Sequence, residues 1–541
     1  MASTVIIVGA GAGGIATAAR LAKSGFQVKV VERNDFIGGR CSVILKDGYR
    51  FDQGPSLVLM PELFKEIFHD LGTSLESEQV ELRKCEPNYV IWFADNDTFE
   101  MTTDLSRMKS QIIKLEGKDS FHQFHSFMQE SGAHYELSLS HVLKRNFPRL
   151  LSMLRPPLVK SLLAMHPFES VYTRIAKYFK SDKLQRVFTF GTMYLGMSPF
   201  QAPGTYSLLQ YTEIADGIWY PKGGFQIILK ALANVGKRLG VEYRLNSAVS
   251  SILLSEDKRH ATGVRLASGE ELHADIVVVN ADLVYAYNNL LPPSPKALSL
   301  QERPASCSSI SFFWSFDCVI PELRPHNIFL ADQYEQSFDS IFVEHRIPDE
   351  PSFYVNVPSR IDNTAAPPGK DAVVVLVPVG HLVKDRFGGF IRDDEAWNIH
   401  VSQTRDFVLN VIEARTGVKG LRKKIVSESV ETPLSWETKF NLDRGAILGL
   451  SHSFFNVLSF RPKTRHSQLQ GLYFVGASTH PGTGVPICLA GSKITAKQIT
   501  QDLDRDKSPL ANWLGLVSWL VIGGMVAFIA ILGGYGVATG F

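Results

Sequence analysis

An α/β fold is predicted by three observations at the two ends of the chain. The first is a βαβ pattern over residues 4–31. Thr4 to Val8 is a short apolar strand, Ile15 to Ser24 a helix with Ile15, Ala18, Ala19 and Ala22 on one face, and Gln27 to Val31 a second strand. The second is the turn between that strand and helix, Gly9-Ala10-Gly11-Ala12-Gly13-Gly14. It fits G-x-G-x-x-G in the context where that pattern binds a dinucleotide. The third is the run Gly471-Leu472-Tyr473-Phe474-Val475-Gly476-Ala477-Ser478-Thr479-His480-Pro481-Gly482-Thr483-Gly484-Val485-Pro486. There an apolar strand enters a glycine- and proline-rich turn, and small and apolar residues follow at helical spacing from Ile487 to Gln501. One flat or phosphorylated ligand held by both termini accounts for both glycine turns.

Each residue of the N-terminal motif has a physical reason. Gly9 allows the tight turn, Gly11 lets the backbone approach a pyrophosphate, and Gly14 lets helix and strand pack closely. The pyrophosphate would sit on the helix N-terminus, where free N–H groups and the dipole favour an anion. Glu32 ends the second strand. A carboxylate there accepts from a ribose 2′-OH and repels a 2′-phosphate. The stretch Glu32-Arg33-Asn34-Asp35-Phe36-Ile37-Gly38-Gly39-Arg40 then adds a double glycine and a basic residue, with Arg50-Phe51-Asp52-Gln53-Gly54-Pro55 close behind. Glycines here let the chain wrap an extended cofactor, and Arg40 can pair with a phosphate. This extension favours FAD, with NAD as the alternative or as a terminal acceptor.

A chain of 541 residues is too long for one compact core, and 45% hydrophobic with 20% charged residues is a globular profile. The formal net charge of +2 gives no global pull towards nucleic acid. The five cysteines, Cys41, Cys85, Cys307, Cys318 and Cys488, are scattered with no C-x-x-C pair. That spacing argues against a disulfide framework or a zinc site and for a reducing compartment. No signal peptide is expected, since Val5-Ile6-Ile7-Val8 runs straight into glycines. From Trp513 to Phe541 there is no charged residue. About 20 apolar residues cross a bilayer, so a tail anchor is expected, with Trp513 and Trp519 at the interface and Arg505 and Lys507 before it. Such an anchor would leave the bulk of the chain cytosolic, at the endoplasmic reticulum.

Helical patterns are read from the second strand to about residue 130, short β runs over 241–280, β-rich sequence over 305–380, and a long helix from Trp397 to Arg415. Between Leu137 and Phe168 there is no acidic residue, while Lys144, Arg145, Arg149, Arg155 and Lys160 lie among leucines. That stretch suits an anionic lipid surface or a solvated cap helix. The organisation read is 1–75 FAD-binding, 76–215 cap and membrane-facing helices, 216–300 FAD-binding, 301–430 substrate domain, 431–507 FAD-binding and 508–541 membrane anchor.

A fingerprint followed by E-R-x-x-x-x-G-G-R resembles the amine-oxidase-like flavoprotein superfamily. Asp52-Gln53-Gly54-Pro55-Ser56, Gly217-Ile218-Trp219-Tyr220-Pro221-Lys222-Gly223-Gly224-Phe225, Val279-Asn280-Ala281-Asp282 and the run from Gly471 to Ile487 narrow the resemblance. It is to phytoene desaturases of the bacterial and fungal type, the fungal ones most of all. The resemblance implies a Rossmann-like FAD-binding domain assembled from discontinuous segments, with a mixed α+β substrate domain and a C-terminal transmembrane helix. It places Gly476 and the turn with Pro481, Gly484 and Val485 against the flavin and ribityl chain. Trp219, Gly223 and Gly224 would face the ring, and Val249 would offer its backbone to the adenine.

The implied reaction is dehydrogenation of a saturated C–C bond beside a polyene, with hydride passing to flavin N5 and loss of a proton. Repeated steps would carry phytoene to lycopene or more desaturated carotenes, with oxygen or a quinone as electron acceptor. The carotene would be drawn from the bilayer, lipid and a second copy of the chain being the other partners considered. A carotene offers no polar handle, so its site must be a long apolar tunnel. Candidate walls are Val187-Phe188-Thr189-Phe190, Met193-Tyr194 and Phe312-Phe313-Trp314. No acid/base pair is read from the sequence, and no catalytic residue is assigned. His480 lies near the flavin by motif. The alternatives are a related polyene desaturase or isomerase, a tail-anchored flavin amine oxidase, and a lipid-escort protein without FAD.

Overall fold

The computed structural model describes residues 2–383 and 393–506. The chain divides into two units, Met1–Ile494 and Thr495–Phe541. Of the second unit, the described residues are the last turns of the helix Val485–Asp506.

The first unit is organised on two large sheets. One has five parallel strands in the spatial order Leu472–Phe474, Ile276–Val279, Thr4–Val8, Gln27–Val31, Glu242–Arg244. Its central strands are buried almost throughout, as expected when both faces of a parallel sheet are covered. The helix Ala12–Lys23 covers it and packs on the helix Gln226–Arg238. The other sheet has seven strands in the order Ile425–Glu431, Ser308–Phe316, Asp371–Val379, Phe353–Asn356, His326–Phe329, Tyr89–Trp92, Thr98–Met101. It is antiparallel except where His326–Phe329 meets Tyr89–Trp92. Phe312, Trp314, Val373 and Val375 fill its core with Val408, Leu409 and Ile412 of the helix Asp394–Thr416.

The stretch read as helical after the second strand differs most. It holds the strands Val43–Lys46, Tyr49–Asp52, Leu82–Lys84, Tyr89–Trp92 and Thr98–Met101. Each is three or four residues long, too short to display an alternating pattern. Two depend on distant partners: Leu82–Lys84 pairs with Trp219–Pro221, and Tyr89–Trp92 with His326–Phe329.

The expected architecture is corrected at its C-terminal end. No helix among the described residues is long and apolar enough to cross a membrane. The last one, Val485–Asp506, carries Lys493, Lys497, Asp502 and Asp504, and hydrocarbon does not accept such side chains cheaply. The segment read as an anchor, 508–541, lies outside the described residues. The transmembrane helix is therefore withdrawn from the fold, and the single-pass membrane localisation with it.

Asn280 ties the first sheet to both glycine turns. Its backbone N–H donates to Val8 O at 2.8 Å, and its side-chain amide donates to Val475 O at 2.8 Å. A Cβ on Gly11 or Gly14 would come within 2.8 or 2.9 Å of its Oδ1, and one on Gly13 within 2.9 Å of its Nδ2. Asn280→Ala leaves the Val475 carbonyl without that donor. It should lower stability by about 1–3 kcal/mol, read as a lower denaturant midpoint of the apoprotein. An unchanged midpoint would remove the tie from the account.

Candidate active site

One cavity of about 900 Å³ runs through the first unit. One part of it is walled by glycines and backbone, the other by apolar side chains. Of the residues singled out in the sequence, Gly9, Gly11, Glu32, Arg33, Gly39, Arg40, Gly54, Pro55, Val249, Gly476, Pro481, Gly484 and Val485 line it. Gly14, Trp219, Gly223 and Gly224 do not. Gly14 lies against the strand end, where a Cβ would sit 2.2 Å from Gly9 O. Trp219, Gly223 and Gly224 belong to the segment that leads into Phe225, which does line the cavity.

That segment holds Asp52 in place from behind. Tyr220 OH donates to Asp52 Oδ2 at 2.7 Å, and the Phe225 N–H donates to Oδ1 at 2.6 Å. Burial raises the Asp52 carboxyl above its ordinary range, opposed by these two donors and by Arg50.

The glycine-walled part fits FAD. The helix Ala12–Lys23 begins after Gly11 with no side chain capping its first N–H groups. The Glu32 carboxylate is fixed at the edge of this cradle by the Ala10 N–H at 2.8 Å and the Asn34 N–H at 2.9 Å. Side chains at Gly11 and Gly13 would collide with Asn280, so the close approach of the turn to that residue requires glycine. Arg40 lines the cavity while its guanidinium donates to Ile447 O, so the C-terminal segment positions it.

The C-terminal turn is held by a residue that sequence reasoning passed over. Arg461 is wholly buried, and its guanidinium donates to the carbonyls of Leu450, Ser451, Asn456, Ala477 and Thr479. Burial pushes its pKa down to about 10, which leaves it charged. His480 is buried with Nε2 2.7 Å from Arg145 O and its ring edge-on to Phe147. Burial pushes it down to about 4. A neutral ring that donates to a carbonyl shapes the turn, and it lies outside the cavity lining.

Of the residues read as tunnel walls, Phe190, Met193 and Tyr194 line the apolar part, with Leu208, Leu209, Leu376 and Phe454. Val187 and Phe188 pack in the cap core, and Phe312, Phe313 and Trp314 in sheet cores.

The model of the family of flavin containing amine oxidoreductases matches residues 12–500. The phytoene desaturase of Fusarium fujikuroi is 59% identical over 92% of this chain and 89% of its own length. That of Neurospora crassa is 58% identical over 92% of this chain and 85% of its own. The chain belongs to the flavin-containing amine oxidoreductases and, among them, to the phytoene desaturases. It is an FAD-dependent oxidoreductase that desaturates phytoene in carotenoid biosynthesis. An oxidoreductase structure from Methanosarcina mazei superposes with a TM-score of 0.60 over 91% of this chain and 100% of that one; at 16% identity it speaks for the fold alone.

Glu32 lines the cavity at the end of the second strand, where a carboxylate is expected to accept from a ribose hydroxyl of the cofactor. Glu32→Ala removes a carboxylate whose charge-assisted hydrogen bonds are worth about 1.5–3 kcal/mol. FAD affinity should fall about 10- to 100-fold, measured by titrating apoprotein with FAD and following flavin fluorescence. Equal affinity would show that the carboxylate only braces the loop.

Proposed function

We propose that the chain takes phytoene through successive desaturations, to lycopene or more desaturated carotenes, within the cavity that also receives FAD. The continuity of the glycine-walled and apolar parts in one cavity carries this reading. When bound, the flavin supplies the two-electron oxidant, taking up hydride at N5. The chain's own residues hold the polyene by burial alone, at about 25 cal/mol per Å², and exclude water. With no polar handle to anchor it, the product of one step can slide to present the next bond.

Supply of the substrate from a lipid surface is part of the same proposal. Leu150, Leu151, Leu154, Val159, Phe168 and Phe455 are exposed. Phe168 packs on Phe454 of the cavity wall, with ring centroids 4.8 Å apart. Exposed apolar side chains continuous with an apolar cavity suit a substrate that never enters water. Electrons would pass onward to oxygen or a quinone.

Expression in cells that accumulate phytoene, followed by chromatography with absorption spectra, tests the reading. Red or orange polyenes are expected, their maxima counting the steps. Unchanged phytoene beside a folded yellow protein would refute it. The purified protein, assayed without oxygen and then with quinone or nicotinamide added, identifies the acceptor.

A further inference from the structure

The wall of the cavity carries a polar cluster beside the loop Gln53-Gly54-Pro55-Ser56. Ser56 Oγ lies 2.7 Å from Tyr354 OH, and Tyr354 OH lies 2.7 Å from His326 Nδ1. His326 Nε2 in turn lies 3.3 Å from Cys85 Sγ. Ser56, Tyr354 and Tyr194 all line the cavity. The Tyr194 hydroxyl is buried and interacts with the Glu213 carboxyl, without a hydrogen bond of ordinary geometry.

Behind Tyr194 stands Glu213, which is fully buried. Its Oε2 accepts from Tyr89 OH at 2.7 Å. Its Oε1 is likewise buried without a hydrogen bond of ordinary geometry. Asn88 donates to the Glu213 backbone carbonyl at 2.6 Å, which fixes the turn that carries the carboxyl. Tyr194 and Tyr89 are the ionisable groups that act on Glu213, and both lower its pKa against the larger effect of burial, which raises it to about 7. The remaining groups of the cluster do not titrate near neutrality. Burial pushes His326 down to about 3 and Cys85 up to about 12, and raises Tyr89, Tyr194 and Tyr354. A buried carboxyl and hydroxyl whose hydrogen bonds are not fully made are costly in an apolar interior.

We propose that Glu213, acting through the hydroxyl of Tyr194, accepts the proton that the carotene loses in each desaturation. One carbon gives up a hydride, with its electron pair, to the oxidant of the established reaction. The C–H bond of the neighbouring carbon breaks, and its electron pair forms the new C=C bond. The proton passes to the Tyr194 oxygen as that hydroxyl hands its own proton to the Glu213 carboxylate. A base works best when its pKa lies near the working pH, and an apolar wall tolerates a carboxyl that becomes neutral as it works.

The experiment uses the FAD-loaded full chain with phytoene in vesicles, without oxygen, following flavin reduction by stopped flow. Glu213→Gln keeps the volume and the Tyr89 contact. It should leave flavin content and phytoene affinity unchanged and slow flavin reduction about 100-fold or more. In the parent protein the rate should rise with pH through about 7, because the carboxylate is the working form and is populated above its pKa. In Glu213→Gln that limb should vanish. Independently of turnover, an infrared carboxyl band should disappear over the same pH range in the parent and be missing from Glu213→Gln. Parent-like reduction by Glu213→Gln, or a retained limb, overturns the proposal. If Glu213→Gln fails to load FAD, Tyr194→Phe decides, slow reduction supporting the relay and a parent-like rate removing it. The proposal rests on the desaturation reading. Absence of pigments from the parent would remove the reaction itself, whereas a fast Glu213→Gln protein removes only this acceptor.

Discussion

The amide of Asn280 is the contact on which the rest depends. Its side chain reaches Val475 O while its backbone extends the pairing of the strand Ile276–Val279 with Val8. Segments that lie more than 190 residues apart in the chain thus close on one residue. No two of them make the cradle alone. The glycine turn needs the Asn280 side chain as its floor, and the C-terminal turn needs it as an anchor. The sequences between these segments are accordingly free to form a second sheet and a cap, provided that they return the chain to this point.

Burial then decides the electrostatics. Arg461 has no carboxylate among its hydrogen-bond partners and spreads its charge over five carbonyls. Those carbonyls belong to two loops that would otherwise carry unsatisfied acceptors. A lysine could not reproduce the arrangement, because it lacks the planar fork. His480 and His326 are held neutral by the same desolvation. These groups lie behind the cavity wall rather than in it.

What could be read in the sequence was what is local. The strands Thr4–Val8 and Gln27–Val31 have the boundaries their patterns indicate, since a parallel strand buried on both faces is a plain apolar run. The helix Asp394–Thr416 extends past the Trp397–Arg415 reading by a few residues at most. Gly9, Gly11 and Glu32 meet in one cradle because a βαβ unit brings them together within about 30 residues. Arg461 was invisible, since an arginine in a loop ordinarily reads as solvated surface. Glu213 was invisible for a related reason: its partners, Tyr89 and Tyr194, are set by tertiary contacts. Trp219, Gly223 and Gly224 carry a recognisable pattern, and in the same segment Tyr220 and the Phe225 N–H donate to Asp52.

The shared cavity imposes a last constraint. A hydrophobic tunnel supplies affinity roughly in proportion to buried area, but area alone does not say which bond is oxidised. Registration must come from where the apolar wall is interrupted. The interruption at Ser56, Tyr194 and Tyr354 lies at the end of the loop that begins with Gln53, Gly54 and Pro55. It therefore sits at the border between the cofactor part and the substrate part. With FAD held in the glycine-walled part, a saturated bond that stopped at that border would lie between the cofactor and these hydroxyls. If Glu213 acts through Tyr194 as proposed, the position of this cluster selects the bond that reacts.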